Sequence, residues 1–95
     1  MTIYTISKRQ QFWQEFQALV AGHIEHYTVP QYGDWPDDQL SDFTARDIVV
    51  NMQRYLNRVD SNARGPAEAA RDCLKLAHYA CELHRKIIIW GEPDA

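Results

Sequence analysis

Residues Pro66–Gly91 read PAEAARDCLKLAHYACELHRKIIIWG, and this stretch decides the fold. Pro66 suits the first helical position, where its missing N–H would find no partner anyway and its fixed φ is already helical. Ala67, Ala69, Ala70, Ala77 and Ala80, with Leu74, Leu76 and Leu83, are strong helix formers. Gly91 followed by Pro93 is a stop signal. Ala70, Leu74, Ala77, Cys81 and Ile88 recur at helical spacing. Cys73, Leu76, Ala80, Leu83, Ile87 and Trp90 form a second stripe beside them. The pattern predicts a helix over 66–90 whose apolar face is wide enough for two neighbours. Glu68, Asp72, Lys75, Tyr79, Glu82 and Lys86 make its polar face.

Working outward, Asp60–Gly65 (DSNARG) has the composition of a turn between antiparallel helices. Before it, Ile48, Val49, Met52, Tyr55, Leu56 and Val59 mark a second helix over 42–59, capped by Ser41, Asp42 or Thr44. Thr28–Leu40, punctuated by Pro30, Gly33 and Pro36, reads as one long loop. Tyr32 and Trp35 are expected to fold back on the core. Asp34, Asp37, Asp38 and Asp42 form an acidic, solvated cluster that favours a helix start.

Ser7 and Gln10 make a capping-box pattern that opens a first helix over 8–27. Its stripe is Phe12, Phe16, Leu19, Val20, His23, Ile24 and Tyr27, with Trp13 at the edge, and it should end before Val29–Pro30. Thr2–Ile6 (TIYTI) favours an extended arm. The expected fold is all-α: a three-helix bundle with an N-terminal extended arm and one long loop, in a single domain spanning 1–95.

The 95 residues leave no room for a second domain. With 45% hydrophobic and 12% aromatic residues the chain can form a core, which sets it apart from disordered sequences. A net charge of −3 argues against direct nucleic-acid binding through a basic face. Trp13, Trp35, Trp90 and five tyrosines carry more aromatic surface than so short a monomer buries, so a homodimer is expected. It would share the wide face of the last helix or exchange the arm.

Cys73 and Cys81, eight positions apart on one helix, would lie about 12 Å apart, too far for a disulfide. Reduced thiols, no apolar leader in MTIYTISKRQ and no apolar run longer than Ile87–Trp90 point to a cytoplasmic protein with no membrane span.

The residues that could carry chemistry cluster on the last two helices. Asp47, Asn51, Arg54 and Arg58 fall on one line of the second helix. Folding back through 60–65 brings Arg54 and Arg58 near Asp72 and Lys75. Asn51, Arg54, Arg58, Asp72 and Lys75 are therefore a candidate phosphate-binding set, with guanidinium and ammonium groups on phosphate oxygens and the carboxylates Asp72 and Glu68 orienting a hydroxyl or metal. The alternative is a salt-bridge network of Arg54 and Arg58 with Glu68 and Asp72.

His78, Cys81 and His84, at i, i+3, i+6, with His23 or His26 as a fourth ligand, invite a zinc reading, but the triplet drifts by about 60° around the helix. No metal site is assigned. Cys73 and Cys81 lie mid-helix on apolar stripes and read as packing, not as nucleophiles. There is no P-loop, glycine-rich cradle or H-E-x-x-H, and no cofactor is implied.

Asn51, Arg54-Tyr55, Arg58, Glu68, Asp72, Leu74-Lys75, Ala77, Tyr79 and Leu83 resemble a pattern in small bacteriophage helical proteins. Those carry a lysine- or arginine-tyrosine pair, an arginine three residues on, a polar turn and a D-L-x-K-A-x-x-Y segment. Some are described as nucleotide kinases lacking a P-loop. The likeness covers about a third of the chain, and Cys73 stands between Asp72 and Leu74 where the pattern has none.

Glu68-Ala69-Ala70-Arg71-Asp72 is also similar to the carboxylate pair of all-α (MazG-like) nucleotide pyrophosphohydrolases, which bind magnesium. Here the spacing differs by one, and the first helix offers only Glu15 and Glu25. The resemblances imply a phage or mobile-element accessory protein that binds a protein or a phosphorylated partner. The alternative is a nucleotide-handling enzyme using the Arg/Lys/Asp set.

Overall fold

The computed structural model describes residues 5–34, 43–61 and 63–88. They form α1 (Lys8–His23), a π-helical turn Ile24–Thr28, α2 (Val29–Tyr32), α3 (Ala45–Ser61) and α4 (Pro66–Ile88). Among the described residues there is no strand, and the class is all-α with three long helical segments, as the periodicity predicts. Most of the expected arm, the acidic cluster beyond Asp34, Trp35 and Trp90 fall outside the described residues; Asp34 itself is exposed.

Side-chain oxygens set the helix starts. Ser7 Oγ accepts from the Gln10 N–H at 3.1 Å. At α3, Thr44 is the cap. Its hydroxyl accepts from the Asp47 N–H at 3.1 Å, and Asp47 Oδ2 accepts from the Thr44 N–H at 3.0 Å. This reciprocal pair satisfies two donors that the first turn would otherwise leave open. Gly65, at φ +93°, makes the left-handed step before α4, and its carbonyl accepts from the Ala69 N–H at 3.1 Å.

The first helix departs from expectation. It does not stop before Pro30 but runs on to Tyr32, so 28–32 is helical and not loop. Proline has no N–H to give, and in a regular α-helix its ring would strike the carbonyl four residues back. The chain widens upstream instead: the Val29 N–H reaches the Ile24 carbonyl, five residues back. That one π turn takes up the misfit, and Gly33 (φ +92°) then ends the helix.

Arg58 meets Asp72 and Tyr55 meets Tyr79, so α3 and α4 are antiparallel and in register, with Asp60 and Ser61, expected in the turn, forming the end of α3. Theirs is the main helix–helix contact; α1 leans on α4 over a smaller area.

The packing inverts the expected faces of α4. Its polar row turns inward, with Asp72 2% and Lys86 4% exposed, while Ala70, Cys73, Ala80, Cys81 and Ile88 face out. On α3, Ala45 and Ile48 are the only fully buried apolar residues among those described. The α1 stripe is largely uncovered: Phe12 is 66% and Leu19 61% exposed.

Candidate functional site

Turning the polar row of α4 inward gathers charge around one ring. The Arg54 and Arg58 guanidiniums lie 5.6 and 5.1 Å from the Tyr55 centroid, and Lys75 Nζ lies 5.3 Å from it. All three are within cation–π range of one phenol. Tyr79 packs against the same ring at 5.7 Å. A single carboxylate balances the group. Asp72 Oδ2 is 3.4 Å from Arg58 Nε, and Oδ1 is 3.8 Å from Lys75 Nζ. Both contacts exceed the 2.7–2.9 Å of a charge-assisted hydrogen bond, so they are ion contacts. Oδ1 is buried and has no hydrogen bond.

Beside this cluster is a cavity of about 140 Å³ between the bent end of the first helix, α3 and α4. Lys75, Tyr55, Tyr79 and His78 form its inner wall; His23, Tyr27 and Tyr32 form the outer one. Among the described residues no carboxylate lines it. The π turn helps shape the outer wall, because it resets the helix so that Thr28, Gln31 and Tyr32 reach the cavity along with Tyr27.

The electrostatics follow from burial. Burial, and then the neighbouring Tyr55 phenol, push the Tyr79 hydroxyl above its ordinary range, so it stays a donor at neutral pH. Burial and then the Lys75 charge lower His23, whose ring stacks on Tyr27 at 5.3 Å with an interplanar angle of 5°. Both His23 ring nitrogens are buried without a hydrogen-bond partner. His78 Nε2 sits 3.6 Å from Glu82 Oε1, at the limit of hydrogen-bond reach, and this contact holds Glu82 below its ordinary range against the opposing effect of burial.

Of the five residues expected to bind phosphate, only Lys75 lines the cavity. Arg58 and Asp72 pair beside it. Asn51 and Arg54 pair with each other along α3, with Arg54 Nη2 donating to Asn51 Oδ1 at 3.0 Å. The expected four-member salt-bridge network reduces to its Arg58–Asp72 link, because Glu68 joins Arg71 on its own helix at 3.2 Å.

The sequence places His23 and Tyr27 on the first helix's stripe and Tyr32 folded back on the core, but assigns none of them to a site, and Thr28 and Gln31 fall in the expected loop. Their signal is that Thr28 and Gln31 continue the spacing of Ile24 past Pro30. Among the described residues no three His, Cys, Asp or Glu side chains converge to hold a metal ion. Cys73 and Cys81 are exposed and lie outside the cavity. No helix of the described residues is long and apolar enough to cross a membrane.

The arrangement suits an anion with a flat ring attached: one ammonium and several hydroxyl donors on one side, stacked aromatic rings on the other. Compared with family models, curated proteins and solved structures, the chain matches none.

Proposed function

We propose that this chain is a cytoplasmic accessory protein of phage or mobile-element type that binds a phosphorylated small molecule in the cavity beside Tyr55. The observation that carries the reading is Lys75, set among phenols in a cavity that no carboxylate of the described residues lines. A phosphate there meets the Lys75 ammonium and the hydroxyls of Tyr55 and Tyr79, and the nearby Arg54 and Arg58 add to the attraction. The cavity holds a phosphate or a single ring, with the rest of the ligand reaching out to solvent. Of the residues shared with the phage pattern, Arg54, Tyr55, Arg58, Lys75 and Tyr79 gather at this ring.

Binding without turnover fits better than the nucleotide-handling enzyme. An enzyme would need Asp72 free to orient a metal or hydroxyl, and Asp72 is 2% exposed and held between two cations.

The test is a thermal-shift titration with a nucleoside monophosphate, the matching nucleoside and inorganic phosphate, with and without magnesium. At ten times Kd the ligand stabilises by about 1.4 kcal/mol, or roughly 6–11 °C for a domain this size. The monophosphate should give that shift in the wild type and lose it in Lys75→Gln. An equal shift in Lys75→Gln, or no shift with any phosphate, refutes the reading.

A further inference from the structure

Among the described residues His23, on the outer wall of the cavity, has nothing to bond to. Both of its ring nitrogens are buried and lack a hydrogen-bond partner, yet an imidazole carries at least one N–H in either protonation state. Its ring lies flat against Tyr27, with 5.3 Å between centroids and 5° between planes, and that stack fixes where it sits. Across the cavity stand Lys75 and His78 of α4, with Arg71 one turn before Lys75. Tyr55 of α3, Tyr79 of α4, and Tyr27 and Tyr32 on the side of His23 complete the titratable groups of the walls. Arg71 is met by Glu68 at 3.2 Å and His78 by Glu82 at 3.6 Å. No carboxylate of the described residues lines the space, and Arg54 and Arg58 do not line it either.

We infer that His23 takes up a proton when a phosphate settles on Lys75, and that this second positive charge selects a dianionic monoester over a monoanionic diester; the inference rests on the phosphate site proposed above. In the empty cavity burial, and then the Lys75 charge, keep the ring neutral at neutral pH. A dianion reverses the second of these causes. It balances Lys75 and leaves one negative charge over, beside a buried imidazole with no partner of its own. Opposite charges about 6 Å apart, under an effective dielectric of about 20, move a pKa by about two. The ring stays buried, which subtracts from that gain, so a rise of at least about one is expected. By reciprocity, a pKa that rises by about one on binding means that the protonated site holds the ligand about tenfold tighter. Affinity therefore increases as pH falls through the bound-state pKa and levels off below the free-state one. A diester brings a single charge, which Lys75 alone balances, and it calls for no proton.

The experiment follows the histidine rings of the full chain by NMR from about pH 5 to 8. Spectra are taken without ligand, with a saturating nucleoside monophosphate, and with the methyl ester of that nucleotide. Watching the ring itself separates its titration from that of the phosphate, whose second ionisation lies near pH 6. The His23 pKa should rise by at least about one with the monoester and by less than about half of that with the diester. His78, already met by Glu82, should move less, and His26, exposed and outside the cavity, should not move. In His23→Gln the preference for monoester over diester, measured by calorimetry near pH 6, should shrink about threefold or more. The NMR reading is made on the wild type and so does not depend on that variant folding.

A monoester that binds, with its Lys75-dependent shift in melting, and leaves His23 unmoved overturns the role of His23 while the phosphate site stands. An equal rise with the diester, or a wild-type preference in folded His23→Gln, overturns it as well. If no phosphate binds, the site itself falls and the role of His23 with it.

Discussion

Replacing Asp72 with asparagine leaves the shape of the α3–α4 seam intact and removes the one negative charge among three cations. Removing one partner of a fully buried pair costs about 3–5 kcal/mol, because the surviving charge is left uncompensated. Here the cost is smaller, for two reasons visible in the geometry. Arg58 and Lys75 keep 30% and 27% of their side-chain surface, so water takes over part of the role of Asp72. The contacts, at 3.4 and 3.8 Å, are also longer than good charge-assisted bonds. About 2 kcal/mol remains, which for a domain of this size lowers the melting temperature by about 8–16 °C.

Urea melts of Asp72→Asn, Arg58→Met and the double variant, all at one protein concentration, measure the loss and its coupling. A coupling of about 1 kcal/mol or more is expected between Asp72 and Arg58. The same substitution should tighten binding of a nucleoside monophosphate, since it removes a carboxylate that competes for Lys75. A loss under about 0.5 kcal/mol with no coupling would refute the claim that Asp72 is what holds the cations together.

Three further outcomes are expected. Gly65→Ala should cost about 1–2 kcal/mol in chemical denaturation; no atom lies within 4 Å of a Cβ placed there, so the whole effect is the φ of +93°. Thr44→Ala should cost about 1 kcal/mol by the same measurement, with helix loss confined to the start of α3. For pH, His23 has a folded pKa lowered from its ordinary 6.5. Its contribution is therefore fully present above about pH 6.5 and is lost as pH falls through the folded value. Melting temperature should drop as pH falls below about 6.5 in the wild type, and that drop should flatten in His23→Gln. A separate loss from Glu82, lowered from 4.5, should begin only below that value.

How much of this was legible in the sequence depends on what each residue was answering to. The helices of the 45–88 region and the turn between them follow from local spacing, propensity and caps, and α3 and α4 form where the pattern puts them. The fold-back places Asp72 and Lys75 near Arg58, as the structure has them, but the burial of Lys86 and the outward turn of Cys73, Ala80 and Cys81 were not legible, because the pattern assigns the first to solvent and the others to the core. Only the partner helix, which brings Arg58 and Tyr55 to the same level, makes it favourable to turn the polar row of α4 inward. The cavity was hidden for a different reason. Pro30 is a stop in a regular α-helix, and nothing local announces that one wide turn upstream will absorb it. Lys75 was found because it lies on the helix face the spacing picks out; Tyr27, Gln31 and Tyr32 were not, because their positions depend on that turn.

The inward polar row around Tyr55 can be checked directly by NMR of the wild-type chain. A methylene beside Nζ held 5.3 Å from the Tyr55 centroid lies in the shielding cone of the ring. The Lys75 ε-protons should therefore resonate upfield of their random-coil position, show NOEs to the Tyr55 ring and return to that position in Tyr55→Leu. Random-coil shifts for Lys75 in the folded wild type, with no NOE to Tyr55, would mean that α4 faces the other way and that the cavity beside it does not exist.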